Sequence, residues 1–167
     1  MALFGKGIAN LNELFVDELK NIYYMENEIV ENLPEMIEAA TSANLKQALS
    51  AHLEERKAQV ARLEQVFEIC DLPVEHGACA AIDALIDEAS AGPSDIKEKK
   101  VLDAAIVACA QQIEHHEISV YGSIIAWAKE LGEEQCASIL AQTLEEEKAA
   151  DRKLSELAEG GINRLAA

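Results

Sequence analysis

The sequence predicts an all-α fold: four long helices arranged as two antiparallel hairpins, with a short helix in the crossover that joins them. Three observations carry this expectation. Only 3 prolines and 8 glycines occur in 167 residues, and aromatic residues make up 4% of the chain. Ala, Leu, Glu and Lys, all good helix formers, dominate what remains. Apolar residues recur at helical spacing over four long stretches, separated by a few short polar or Gly/Pro-containing breaks.

Helix A is predicted from about Asn10 to Ala40, on the stripe Leu11, Leu14, Phe15, Ile22, Met25, Ile29, Leu33 and Met36, with Asn10 as its cap. Pro34 lies inside that span and should bend the helix or remove one hydrogen bond. The polar stretch Thr41–Asn44 is short, so helix B folds back on A. Its stripe runs through Leu45, Leu49, Leu63, Val66 and Phe67 until Asp71-Leu72-Pro73 stops it.

The crossover holds one amphipathic stretch, Ala78 to Ala89, between Gly77 and the breaker Ala91-Gly92-Pro93. Ser94-Asp95-Ile96-Lys97 reads as the start of helix C. From Val101 to Leu131 that helix is apolar nearly all round, as suits burial on several sides, and Gly132 ends it. Helix D runs from about Glu133 to Ala158 on Leu140, Leu144, Leu154 and Leu157, and Gly160-Gly161 terminates it. Two hairpins joined by one long crossover form a ferritin-like four-helix bundle. Length and an apolar fraction of 50% support one such domain over residues 1–167, with 1–9 and 160–167 as terminal segments.

Composition bounds the partners. With 31 acidic against 14 basic side chains the formal charge is −17, which repels nucleic acid and acidic membranes and favours cations. No apolar run reaches the length of a membrane span and no secretory leader pattern is present, so a cytoplasmic protein is expected. Cys70, Cys79, Cys109 and Cys136 include no CxxC pair, and read as small, buried or half-buried thiols.

Acids fall on the faces that should be core. At about 100° per residue, Glu18 lies within the helix A stripe, and His52 and Gln59 share a face of helix B with Glu55 to one side. Glu114 and Glu117 lie one turn apart on helix C, and Glu147 and Asp151 do so on helix D. Any single acid on such a stripe is as readily a boundary residue whose carboxylate reaches solvent. Four stripes carrying acids together instead call for a positive partner, because buried carboxylates are costly and repel one another. Arg56 is the only basic residue near these stripes, and one guanidinium does not balance so many acids. Metal ions do.

The expected site is therefore a carboxylate-bridged centre of two metal ions. Oxygen-rich ligands with one imidazole favour iron or manganese over zinc. Glu18 and Glu114 would be terminal ligands and Glu55 and Glu147 bridges. His52, Glu117 and Asp151 would be terminal ligands or would support them. A weak internal echo pairs Glu55 with Glu146, whereas the stripe turns Glu147 inward, and the stripe is preferred. His115 and His116 diverge from the acid face. Tyr23 and Tyr121 lie nearby with core packing as their main task.

The run His52-Leu53-Glu54-Glu55 with Gln59 and Leu63, the run Glu114-His115-His116-Glu117-Ile118 with Tyr121-Gly122, and Thr143 to Ala149 with Asp151 resemble the YciE/YciF family of ferritin-like bacterial stress proteins over nearly the whole chain. The resemblance implies a bundle, a homodimer and a di-metal centre without a settled reaction. Arg56 stands where it implies Thr, and His116 where it implies Tyr. Two functions follow: a di-iron or di-manganese protein that oxidises iron or reduces oxygen or peroxide, and a non-catalytic, stress-induced metal-binding or interaction protein. Ile82, Leu85 and Ile86 are expected to offer a dimer contact.

Overall fold

The computed structural model describes residues 7–167, without the side chains of 91–94. Its helices are α1 (Leu11–Ala39), α2 (Ala43–Ile69), α3 (Ala80–Ser94), α4 (Lys99–Glu130), α5 (Glu134–Leu157) and α6 (Asn163–Ala166), with a wide π-type turn over Ala158–Ile162 before α6. No strand occurs among the described residues.

The local signals act as the sequence implies at most ends. Asn10 caps α1 by accepting from the Glu13 amide at 2.9 Å, and Ser42 caps α2. Pro34 is absorbed within α1, which continues to Ala39. Gly132, at φ +80, closes α4: its amide donates to Lys129 O and the next amide, of Glu133, to Ala128 O.

Three ends differ from expectation. The backbone of α3 stays helical to Ser94, past the predicted break at 91–93, and α4 starts after a Glu98 cap rather than at Ser94. Gly160-Gly161 does not end the helical path: Gly161 leaves helical geometry, and the chain resumes as α6, with Ile162 buried against the bundle.

The four long helices pack with every neighbour antiparallel. Tyr23 on α1 meets Glu64 on α2, and Gln59 and Arg62 on α2 meet Glu146 on α5. Gln111 on α4 meets Asp151 and Ser155 on α5, and Asp103 on α4 meets Thr41 at the far end of α1. α3 carries the chain along the bundle from the end of α2 to the start of α4. It buries Ile82 fully and packs Leu85 and Ile86 against the core, so these residues are not the exposed dimer face expected of them.

Apolar packing divides into two clusters. One gathers Phe15, Leu19, Ile22, Leu63, Phe67, Ile124 and Leu140; the other gathers Leu33, Met36, Leu45, Leu49, Ile106 and Leu154. Between them along each helix lie buried charged residues: Glu26 on α1, His52 and Arg56 on α2, Glu114 and Glu117 on α4, and Glu147 on α5.

Candidate metal centre

Arg56 is the centre of this polar layer and is fully buried. Four residues after His52, three before Gln59 and seven before Leu63, it occupies the middle of the inward stripe of α2. Its Nη1 donates to Glu26 Oε2 at 3.1 Å, and its Nη2 lies 3.1 Å from Glu114 Oε2 and 2.7 Å from Glu147 Oε2. Both terminal nitrogens also bond Glu117, one to each carboxylate oxygen. Its Nε donates to His52 Nε2 at 2.9 Å. One guanidinium thus ties α2 to carboxylates from all three other long helices, the planar fork being suited to several acceptors at once.

The expectation that Arg56 stands only beside the acids is corrected here. The structure brings together His52, Glu114, Glu117 and Glu147, and adds Glu26, which sequence reasoning missed. Glu26 is fully buried and accepts the Tyr121 hydroxyl at 2.6 Å, so Tyr121 helps shape the site as well as packing the core. The signal for Glu26 was present: it lies four residues after Ile22 and three before Ile29, both in the stripe of α1.

Glu18 is buried on α1 but lies two turns from Glu26, about 12 Å along the axis. Its polar contact is the Asn21 side chain at 3.3 Å, and the structure does not bring it into the cluster. Burial, then Asp17, push its carboxyl up against the Asn21 hydrogen bond. Glu55 is exposed and meets the outer nitrogen of His52, Nδ1, at 3.3 Å. Asp151 sits at the rim, bonded by Gln111 at 3.1 Å and 3.4 Å from the exposed His115. Glu146 turns to Arg62 at 2.7 Å while Glu147 turns inward, as the stripe required. His116 faces Cys79, away from the cluster.

Four carboxylates share one guanidinium, so protons are retained among them. Burial pushes Glu147 up to about 12 despite Arg56, and burial pushes Glu117 up as well. Glu114 goes the other way: burial opposes ionisation, but Arg56 and the neighbouring His52 hold it down to about 2. The four acids around Arg56 hold its own pKa well above the usual value against the effect of burial.

Two features fit a cation. His52 Nε2, Glu114 and Glu147 each present a ligand atom, all within 4.8 Å of one another. Glu147 Oε2 is buried without a well-directed donor although Arg56 is near, and His52 Nε2 lies between an Arg56 donor and Glu114 Oε1 at 3.1 Å, which one lone pair or one proton cannot satisfy together. A cation bound by these three atoms would give Glu147 Oε2 a partner and would take the single lone pair of His52 Nε2 from its Arg56 donor. The donor set fits one ion in this way. The two-ion arrangement requires Glu26 and Glu117 as well, and their oxygens are held by Arg56. A cleft of about 590 Å³, lined by Leu33, Leu49, Ala110 and Leu154 among others, reaches His52, Glu55 and Glu114 and supplies a route inward.

The family described as a domain of unknown function, DUF892, matches residues 10–167, which includes every residue of this layer. The chain belongs to the DUF892 family. It is 37% identical over 160 residues to protein YciF of Escherichia coli (strain K12), covering 95% of this chain and 96% of that protein. The crystal structure of the E. coli stress protein YciF superposes with a TM-score of 0.88 at 36% identity, covering 93% of this chain and 99% of that one. YcfI from Rhodopseudomonas palustris superposes with a TM-score of 0.88 at 47% identity, covering 91% and 97%. A Xanthomonas campestris protein at 20% identity and TM-score 0.73, covering 94% and 96%, shares the fold. The chain is thus an all-helical DUF892 protein related to YciF. No helix among its described residues is long and apolar enough to cross a membrane.

Proposed function

We propose that this DUF892 protein is a ferritin-like stress-response protein that binds a divalent metal ion, iron or manganese, through His52, Glu114 and Glu147. The observation that carries this reading is the convergence of these three buried ligand atoms, one from each of α2, α4 and α5, with Glu147 Oε2 lacking a well-directed donor. One imidazole with carboxylates suits iron or manganese. Arg56 supplies the second positive charge, in the space where a two-ion centre would hold another metal. In this reading the metal joins three helices and stabilises the bundle, and the function is non-catalytic. His52 is oriented by Glu55 on its outer nitrogen, and Gln59 positions Glu147 by donating to Oε1.

A second reading keeps the two-ion centre, with iron oxidation or reduction of oxygen or peroxide as its activity. The crowding of four acids on one guanidinium supports it, since further ions, on displacing Arg56, would take the place of the protons retained on Glu117 and Glu147. A cytoplasmic location and a homodimer belong to both readings, and fractionation and sedimentation test them.

The deciding experiment is metal stoichiometry after anaerobic reconstitution with ferrous iron or manganese. About one ion per chain is expected, lost in Glu147→Gln and removed by a chelator with a fall in thermal midpoint. About two ions per chain support the second reading. No binding to the folded wild type overturns both.

A further inference from the structure

The thiols of Cys70 and Cys136 lie 3.4 Å apart, although 66 residues separate them in sequence. Cys70 caps the C-terminal end of α2 and is partly exposed; Cys136 lies in the first turn of α5 and is fully buried. The two sulfurs are therefore already in contact, and closing to the roughly 2.05 Å of a disulfide requires a movement of about 1.4 Å. Both side chains sit at helix ends, where the backbone gives way more readily than at mid-helix. Cys79 faces His116 at 3.5 Å, and no Cys79 or Cys109 contact with another thiol occurs among the described residues.

We propose that Cys70 and Cys136 are a peroxide-oxidisable dithiol that forms an intramolecular disulfide, fastening the end of α2 to the start of α5. Cys70, the sulfur that solvent reaches, attacks one oxygen of hydrogen peroxide: an S–O bond forms, the O–O bond breaks, and the departing hydroxide takes a proton and leaves as water. Cys136 then attacks the Cys70 sulfenic acid: the S–S bond forms, the S–O bond breaks, and a second water leaves. Two thiols are oxidised by two electrons and one peroxide is reduced to two waters.

Burial pushes the Cys70 thiol up to about 12 and the Cys136 thiol up as well, with Glu133 nearby adding to both. High thiol pKa values make the attack slow. They also leave the reduced form without a stabilised thiolate, so the disulfide, once formed, resists reduction. The pair suits sustained oxidative stress better than rapid signalling. Glu133 also completes a three-ligand set with the two sulfurs, which makes a thiophilic ion such as zinc the competing occupant.

The test is intact mass and peptide mapping of the full chain, prepared reduced and metal-free, then exposed to excess hydrogen peroxide. The expected result is a loss of about 2 Da, a Cys70–Cys136 cross-linked peptide, and a thermal midpoint higher by about 10 °C, as a loop of this length implies. Cys79→Ser should behave as wild type, whereas Cys70→Ser and Cys136→Ser should each lose the cross-link and the thermal gain. Gain of oxygen atoms on Cys70 without a cross-link overturns the proposal, as does a disulfide that uses Cys79 or Cys109. Stoichiometric zinc in the protein as isolated, lost in Cys136→Ser and blocking oxidation, overturns it in favour of a zinc site.

Discussion

Arg56 carries the polar layer, and its position was legible: His52, Arg56, Gln59 and Leu63 recur at 4, 3 and 4 residues on one face. Charge counting argued against placing a lone guanidinium among so many acids. Protons lower the charge to be balanced, since a carboxyl crowded in a core can stay neutral and burial pushes Glu147 in that direction. Glu26 was less legible because α1 carries two buried acids on a similar face, Glu18 and Glu26, two turns apart, and periodicity alone does not say which one reaches the polar layer. Removing the charge while keeping most of the volume, as in Arg56→Met, leaves four buried acids without a partner. A loss of about 3–5 kcal/mol is expected in urea unfolding; a loss under 1 kcal/mol would show that the acids are hydrated rather than paired. Arg56→Lys should also be costly, because a point charge cannot serve four carboxylates in a fixed fork. Glu18 gives the pH test. Its carboxyl is raised in the folded state, so the stability it contributes is full below the unfolded value of 4.5 and is lost as pH rises through the folded value. Glu18→Gln should therefore be more stable than wild type at pH 7 and less sensitive to pH just above 4.5; equal urea midpoints at pH 7 would contradict the burial assigned to it.

At the scale of elements, the hairpins followed from apolar periodicity and from the short breaks at Thr41–Asn44 and Gly132. The fastening of those breaks did not. Asp103, in the first turns of α4, accepts from the Thr41 amide at 2.6 Å, the Thr41 hydroxyl at 2.7 Å and the Ser42 amide at 2.9 Å. It thus satisfies the turn between α1 and α2 from 62 residues away, a pairing no local pattern announces. Asp103→Ala should cost about 1–2 kcal/mol, because two partly buried amides lose their acceptor; Asp103→Asn should recover part of that cost. A null effect of the alanine change on denaturant midpoint would mean that water takes over both amides. Gly77 fixes the crossover in a comparable way. Its amide donates to Lys20 O at 2.9 Å, and a Cβ there would meet the Lys20 and Asn21 backbone within 2.8 Å, so the chain can approach α1 only without a side chain. The start of α4 differs from expectation because the backbone of α3 runs on to Ser94, and α4 begins only after Glu98, whose side chain accepts from the Lys100 amide.

The whole molecule carries a formal charge of −17, most of it on the surface and only part of it paired. Self-repulsion on this scale weakens the compact state, and salt screens it. Raising sodium chloride from low concentration to about 0.5 M, where the screening length falls to about 4 Å, should raise the thermal midpoint; a decrease would place surface ion pairs such as Lys20–Glu75 above repulsion in importance. The buried layer answers a different problem at this scale. Apolar stripes repeat every turn, so two greased helices can slide past one another by 5.4 Å and still bury leucine against leucine. A guanidinium that must reach Glu26, Glu114, Glu117 and Glu147 at once allows no such slip, because a one-turn displacement of any single helix strands at least one acid. Arg56 thus works as the tooth of a key: it selects one alignment of four otherwise interchangeable rods, and misaligned bundles are rejected by the charge they would leave alone in the dark of the core.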